Sequence, residues 1–231
     1  MMSTAFKFDH HSFNNLPEIE DSHTKIVKGG FLDHALNTTG TLFIRHGLYE
    51  NWGISLLHKH WEVCNGEVPV QRVVVSDKGV EYVTRPEMLF SGDKLSPNTI
   101  KVESPRRTIL IEYSEDPDVI MANNILAGSP DFIIEFCVLI SENGFNDIFA
   151  LSTIKPQSLG KEFVEMNYIG RISIVMERNA KDLNRNSLIE TTWRFKPKEA
   201  TLGCERLCQR RCVDSGNGHR FQDHLAMHRP T

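Results

Sequence analysis

No histidine falls between His60 and His219, no stretch of the chain repeats another, and no apolar run approaches the ~20 residues of a membrane span. The missing span makes a membrane partner unexpected. The opening residues, Met1 to His11, lack the apolar centre of a secretory signal, so the expected compartment is the cytoplasm. There is no basic block before residue 205, and 26 Lys and Arg stand against 30 Asp and Glu for a net charge of -4. A nucleic-acid partner, which needs a strongly positive face, is not expected. Disulfides lack material as well, because five cysteines cannot all pair within one chain. In a cytoplasmic protein, Cys64, Cys137, Cys204, Cys208 and Cys212 point to metal or free thiols first.

What remains is an ordinary globular composition: 231 residues, 40% apolar and 24% charged, enough for a substantial core. Residues 1–24 are polar and read as a flexible arm. Thr41 to Arg45 reads as a strand preceded by the turn cluster Asn37-Thr38-Thr39-Gly40. Trp52 to Val63 reads as a second strand. After the turn dipeptide Asn65-Gly66, Val68–Ser76 and Val80–Thr84 form a hairpin about Asp77-Lys78-Gly79. Arg107–Tyr113, Ile148–Ile154, Arg171–Glu177 and Ser187–Phe195 are further strands. Arg85 to Pro105 is broken by Pro86, Gly92, Pro97 and Pro105, and Phe163–Tyr168 is ambiguous.

One helix is well signalled. Ser129-Pro130-Asp131 supplies a cap, a proline at the first helical position and an early acid, and Ile133, Phe136, Cys137 and Ile140 make one apolar face. The expected fold is α+β, a mainly antiparallel sheet with a few helices. Its expected parts are the arm 1–24, one domain over 25–197, and a Cys/His-rich segment over 198–231.

The chemistry concentrates in two places. On a strand, Ile54, Leu56, His58, His60 and Glu62 share one face, with alternate residues ~7 Å apart. Two imidazoles at that spacing can converge on one ion, and two histidines with a carboxylate make a non-haem iron ligand set. His46 or Glu67 are alternative third ligands. In the second place, Cys208, Cys212, His219 and His224 offer four soft ligands for a structural zinc. On a helix, Cys208 and Cys212 would share a face, and the nearby Arg206, Arg210 and Arg211 would favour thiolate. The Gly-rich break over 214–218 would let the histidines fold back.

Three resemblances follow from these residues. Gly53, then His58-Lys59-His60 and Glu67, resembles the first motif of the cupins, but Gly53 is one residue too close, Glu67 is late, and no second motif follows. Leu42-Phe43-Ile44-Arg45-His46-Gly47 resembles the phosphate-pocket opening of histidine phosphatases. Leu48 stands where that family has Glu or Gln, and the family's later histidine has no counterpart. Leu56-Leu57-His58-Lys59-His60-Trp61, with Gly66-Glu67-Val68 and the Cys/His tail, resembles a signature of uncharacterised fungal proteins. That resemblance implies a functional role for His58 and His60 and an association with specialised metabolism, without naming a reaction.

The leading expectation is a divalent metal, zinc or iron, held by His58, His60 and Glu62, with Cys208, Cys212, His219 and His224 as a second site or the rest of the same one. A small molecule is the expected partner, and enzyme and accessory roles are both open. The alternatives are a non-catalytic binding module with structural histidines and a divergent histidine phosphatase.

Overall fold

The computed structural model describes residues 6–77, 79–89, 94–168, 170–198 and 204–213. In chain order the elements begin β1 (Lys7–Phe8), α1 (His10–Asn14), α2 (Ile19–Gly29), α3 (Leu32–Arg45) and β2 (Trp52–Leu56). Next come β3 (Glu67–Ser76), β4 (Gly79–Met88), β5 (Ser96–Ser104), β6 (Arg107–Ser114), α4 (Pro117–Ala127) and α5 (Pro130–Glu142). The last are β7 (Phe149–Thr153), β8 (Lys161–Tyr168), β9 (Ile172–Asn179), β10 (Leu188–Pro197) and β11 (Cys204–Val213).

The strands close on themselves. From β6 the order runs β3, β4, β9, β8, β11, β10, β2, β7 and β5, and β5 pairs back to β6. The result is a closed ten-stranded barrel, with β1 pairing in parallel with β6 at Ile109 and Leu110, away from the residues of β6 that pair with β3. This corrects the α+β expectation. Hairpin-length turns had revealed antiparallel neighbours, but a closed ring also needs the long-range parallel pairs β3–β6 and β8–β11, which leave no local mark. It also needs β11, which lies in the segment set apart as a Cys/His-rich tail.

Two more expectations change. Thr41 to Arg45 belongs to α3, and the supposed turn residues Asn37 to Gly40 lie in its middle. Thr38, Thr39 and Thr41 each return their hydroxyl to the carbonyl four residues earlier, which lets β-branched polar residues sit in a helix. Gly40 is there for contact, not for turning. A Cβ on it would stand 2.4 Å from Cys204 Sγ and 2.6 Å from the Phe195 ring. The supposed arm is likewise anchored: β1 and α1 fall within it, and Phe13, Leu16, Ile19 and Ser22 are buried.

The barrel has two very different faces. Outside, Phe43 of α3 stacks on Phe195 at 5.2 Å and tilts against Phe132 at 5.1 Å, between the helices and the strands bearing Trp52, Phe149 and Trp193. This is the apolar core. Inside, many of the side chains are polar: Ser55, Gln71, Thr84, Asn98, Ser152, Glu165, Asn167, Ser173, Thr192 and Gln209 are all buried. One end of the lumen is plugged by a smaller apolar cluster. There Phe13, Leu16, Leu57 and Val63 meet Ile109, Ile111 and Ala150. No single helix among the described residues is long and apolar enough to cross a membrane.

Candidate metal centre

β2 ends at Leu56, so His58 and His60 are not strand residues. They sit on an irregular crossing, residues 57–66, that runs over the plugged end. Their rings nevertheless meet edge to face at 4.6 Å between centroids. The crossing is held from both sides. On one side, Ser22 Oγ donates to the Leu57 carbonyl at 2.6 Å, the Lys59 amide to Pro17 O at 2.9 Å, and Lys59 Nζ to Asn14 O at 2.7 Å. The Asn14 amide both donates to Val63 O and accepts from Val63 N, each at 3.0 Å. On the other side, Arg171, a non-glycine residue at φ 61°, donates to Glu67 at 2.6 and 3.0 Å. Positive φ is uncommon outside glycine, and here it aims a guanidinium at the end of the histidine-bearing segment.

Two residues of β8 complete the site from beneath. Phe163, Glu165 and Asn167 alternate inward along the strand. Glu165 Oε1 lies 3.0 Å from His60 Nε2, and its other oxygen lies 3.5 Å from Arg210 Nη1. Burial raises the Glu165 carboxyl, but the positive charge of Arg210 and the contact with His60 outweigh it and hold the group well below its usual range. From β11, beside β8, comes Cys212. The ligand atoms of His58, His60, Glu165 and Cys212 all lie within 4.8 Å of one another. Metal bonds of ~2.0–2.3 Å would draw them somewhat closer.

The outer shell suits metal ligation. His58 Nδ1 is 2.9 Å from Leu56 O, a pure acceptor, so Nδ1 carries the proton and Nε2 the lone pair of the neutral ring. His60 Nδ1 is 2.6 Å from the amide of Asn167, whose Oδ1 has no hydrogen-bond partner among the described residues. Turning that amide over lets Oδ1 accept from Nδ1–H, so that an ion replacing the Nε2 proton that faces Glu165 would leave His60 in the same tautomer as His58. Cys212 is a thiol in the absence of a cation. Burial, then Glu165, pushes it well above the usual range. An ion at the cluster would reverse that balance.

The predicted ligands therefore divide. His58, His60 and Cys212 come together. Glu62 points away, exposed, and pairs with Lys59 at 3.3 Å. Cys208 is also elsewhere, near Glu190, Arg211 and Glu162, with its thiol pushed up to about 12 by burial. The helical reading that put both cysteines on one face is replaced by strand β11. On an uninterrupted strand Cys208 and Cys212 would still share a side. Between Trp193↔Cys208 and Thr192↔Arg210 the register slips by one residue, a bulge at Gln209–Arg210. The extra residue turns Gln209 and Arg210 both into the lumen and separates the two cysteines. His219 and His224 lie outside the described residues. His46 caps the end of α3 and lies 3.2 Å from Glu135, away from the lumen, and the strand that suggested a phosphatase pocket is a helix. Glu67 is committed to Arg171, which holds its carboxyl down at about 2.

Glu165 escaped the sequence reading because its strand was ambiguous, although its alternation with Phe163 and Asn167 was a usable signal. Glu112 had none. Thr99 pairs with Glu112 and Ile100 with Leu110, so a second bulge brings Ile111 and Glu112 to the same side. Both line the cavity that His58, His60, Glu165 and Arg210 also line. Burial keeps the Glu112 carboxyl above its usual range, against the pull of Arg210 and of Asn98, which donates to it. The lumen thus holds one carboxyl whose charged form is favoured and one whose protonated form is favoured. No family model matches the chain, and no curated protein and no solved structure matches it either.

Proposed function

We propose that this protein binds a divalent metal ion, zinc or iron, in its barrel lumen and presents it to a small molecule in the adjoining cavity. The reading is carried by one observation: two imidazoles, a carboxylate and a thiol, from three separate segments of the chain, converge within 4.8 Å. Mixed nitrogen, oxygen and sulfur donors suit zinc, and the two histidines with Glu165 alone suit iron. With Cys212 as a fourth ligand the site is closed and structural. With three ligands an open position faces the cavity, and the ion can polarise a bound carbonyl or activate a water. Metal analysis of the purified chain, before and after zinc loading, tests the reading. About one ion per chain is expected, retained in Cys212→Ser if the site is open and lost in Glu165→Gln and His58→Ala. A chain that takes up no zinc and no iron overturns it.

A non-metal reading has its own observation. Glu165 is already bracketed by His60 and Arg210, so the cluster can stand as a self-contained buried ion network. That reading expects the same substitutions to lower the melting temperature with no metal content to lose.

A further inference from the structure

The lumen extends past the histidines. Beyond them lies a narrower second chamber, lined by Gln71, Tyr82, Lys155, Phe163, Gln209 and Arg210 among others. Thr99 and Arg210 line both chambers, so the guanidinium stands where they join. We propose that this junction is a carboxylate seat: the lumen takes a small carboxylic acid whose carboxylate docks on Arg210, and metal binding at the histidine cluster makes that seat available. The second half of the proposal rests on the metal reading above.

The charges argue for an anion. Lys155 and Asp116 are 2.5 Å apart, with Asp116 buried and Lys155 largely so, and neutralise each other. Glu112 does not compete for Arg210 with a full charge, because burial favours its protonated form. That leaves Glu165 as the counter-charge of Arg210, at 3.5 Å from Nη1. An ion held by His58, His60 and Glu165 would draw on the same carboxylate. Arg210 would then be a half-buried guanidinium with its countercharge shared, which favours an anion beside it.

The geometry is built for it. Arg210 is on the inward side of a bulge, and its Nε and Nη2 both donate to Thr192 Oγ1 at 3.1 Å, which fixes the plane of the fork. A planar, pre-oriented guanidinium matches the paired oxygens of a carboxylate. The ligand should also carry a hydrogen-bond donor. Gln209 is buried in the same chamber, its Nε2 donates to Lys155 O at 2.9 Å, and its Oε1 has no partner among the described residues. A short hydroxy acid meets both demands.

Calorimetric titration of the full chain with propionate, lactate and propionamide, with zinc and after chelation, tests this. Zinc-loaded protein should bind propionate and not propionamide, bind lactate more tightly than propionate, and lose about tenfold or more in carboxylate affinity on chelation. Arg210→Lys and the milder Thr192→Val should each weaken propionate binding about tenfold or more while zinc stoichiometry stays at wild type. Retained zinc also shows that the variants are folded. Zinc uptake with no propionate binding, or with binding that neither variant changes, overturns the carboxylate seat and leaves the metal reading standing. No uptake of zinc or of iron overturns the metal reading. In that case, Arg210-dependent propionate binding would support the seat and strike out its dependence on metal. Equal affinities for lactate and propionate would overturn the role given to Gln209.

Discussion

The two faces of the barrel wall are made by the same strands and obey different rules. Outward, Trp52, Phe149, Trp193 and Phe195 pack with Phe43 and Phe132 into a dry apolar layer under the helices. Inward, the neighbouring residues Ser55, Ser152 and Thr192 line cavities with Arg210, Glu112 and Glu165. A barrel that needed only stability would fill its lumen with interdigitating aliphatic side chains. Here stability is concentrated outside, and the inside keeps polar groups that a core would exclude.

The comparison breaks most visibly at Phe43. Phe43→Ala empties the centre of an aromatic group and should destabilise the fold by about 3–5 kcal/mol in urea unfolding, with no change in metal stoichiometry of the folded fraction. A loss under about 1 kcal/mol would show that the outer layer is not the principal core. Next in size is the metal itself. Zinc at ~100 times its dissociation constant should stabilise the chain by about 2.7 kcal/mol, seen as a melting temperature that falls on chelation in wild type and stays put in Glu165→Gln.

A smaller effect sharpens the description of the lumen. The folded chain holds the Glu112 proton to higher pH than the unfolded chain, so wild-type stability falls as pH rises above the carboxyl's ordinary 4.5. Glu112→Gln removes that penalty. Its stability relative to wild type should improve as pH rises above 4.5, measured by urea unfolding at each pH. A flat difference would mean that Glu112 is not held protonated.

The smallest effect is at the rim. Arg171 and the Cys64 amide hold Glu67 at about 2, below its ordinary 4.5. The contribution of that contact is present above pH 4.5 and disappears as pH falls through about 2. Glu67→Gln should cost less than about 1 kcal/mol near neutrality and nothing at the acid end. Loosening the histidine-bearing segment there should also speed metal exchange, read by transfer of zinc to a chromophoric chelator.

Much of the wall was legible in the residues. The β3–β4 hairpin follows from its valines and the turn beginning at Asp77, and α5 from Ser129-Pro130 and its apolar stripe. His58 and His60 do come together, but by the crossing after β2 and not by strand alternation. The rest was hidden for physical reasons. Threonines that bond back along α3 made a helix look like a strand and a turn. Two bulges, at Ile111–Glu112 and Gln209–Arg210, put neighbouring residues on one side and defeated a period of two. Glu165 could be joined to His60 only by a fold that brings β8 beneath the crossing.

The place of β11 bears on synthesis. It is inserted between β8 and β10, parallel to one and antiparallel to the other, and it is the last of the staves in chain order. Until it emerges from the ribosome, β8 and β10 present unpaired edges that invite pairing with other chains. Neither Cys212 nor Arg210 is yet in place. An interrupted chain would thus be adhesive and empty together, and the step that gives the molecule its lumen is the same step that makes it safe to release.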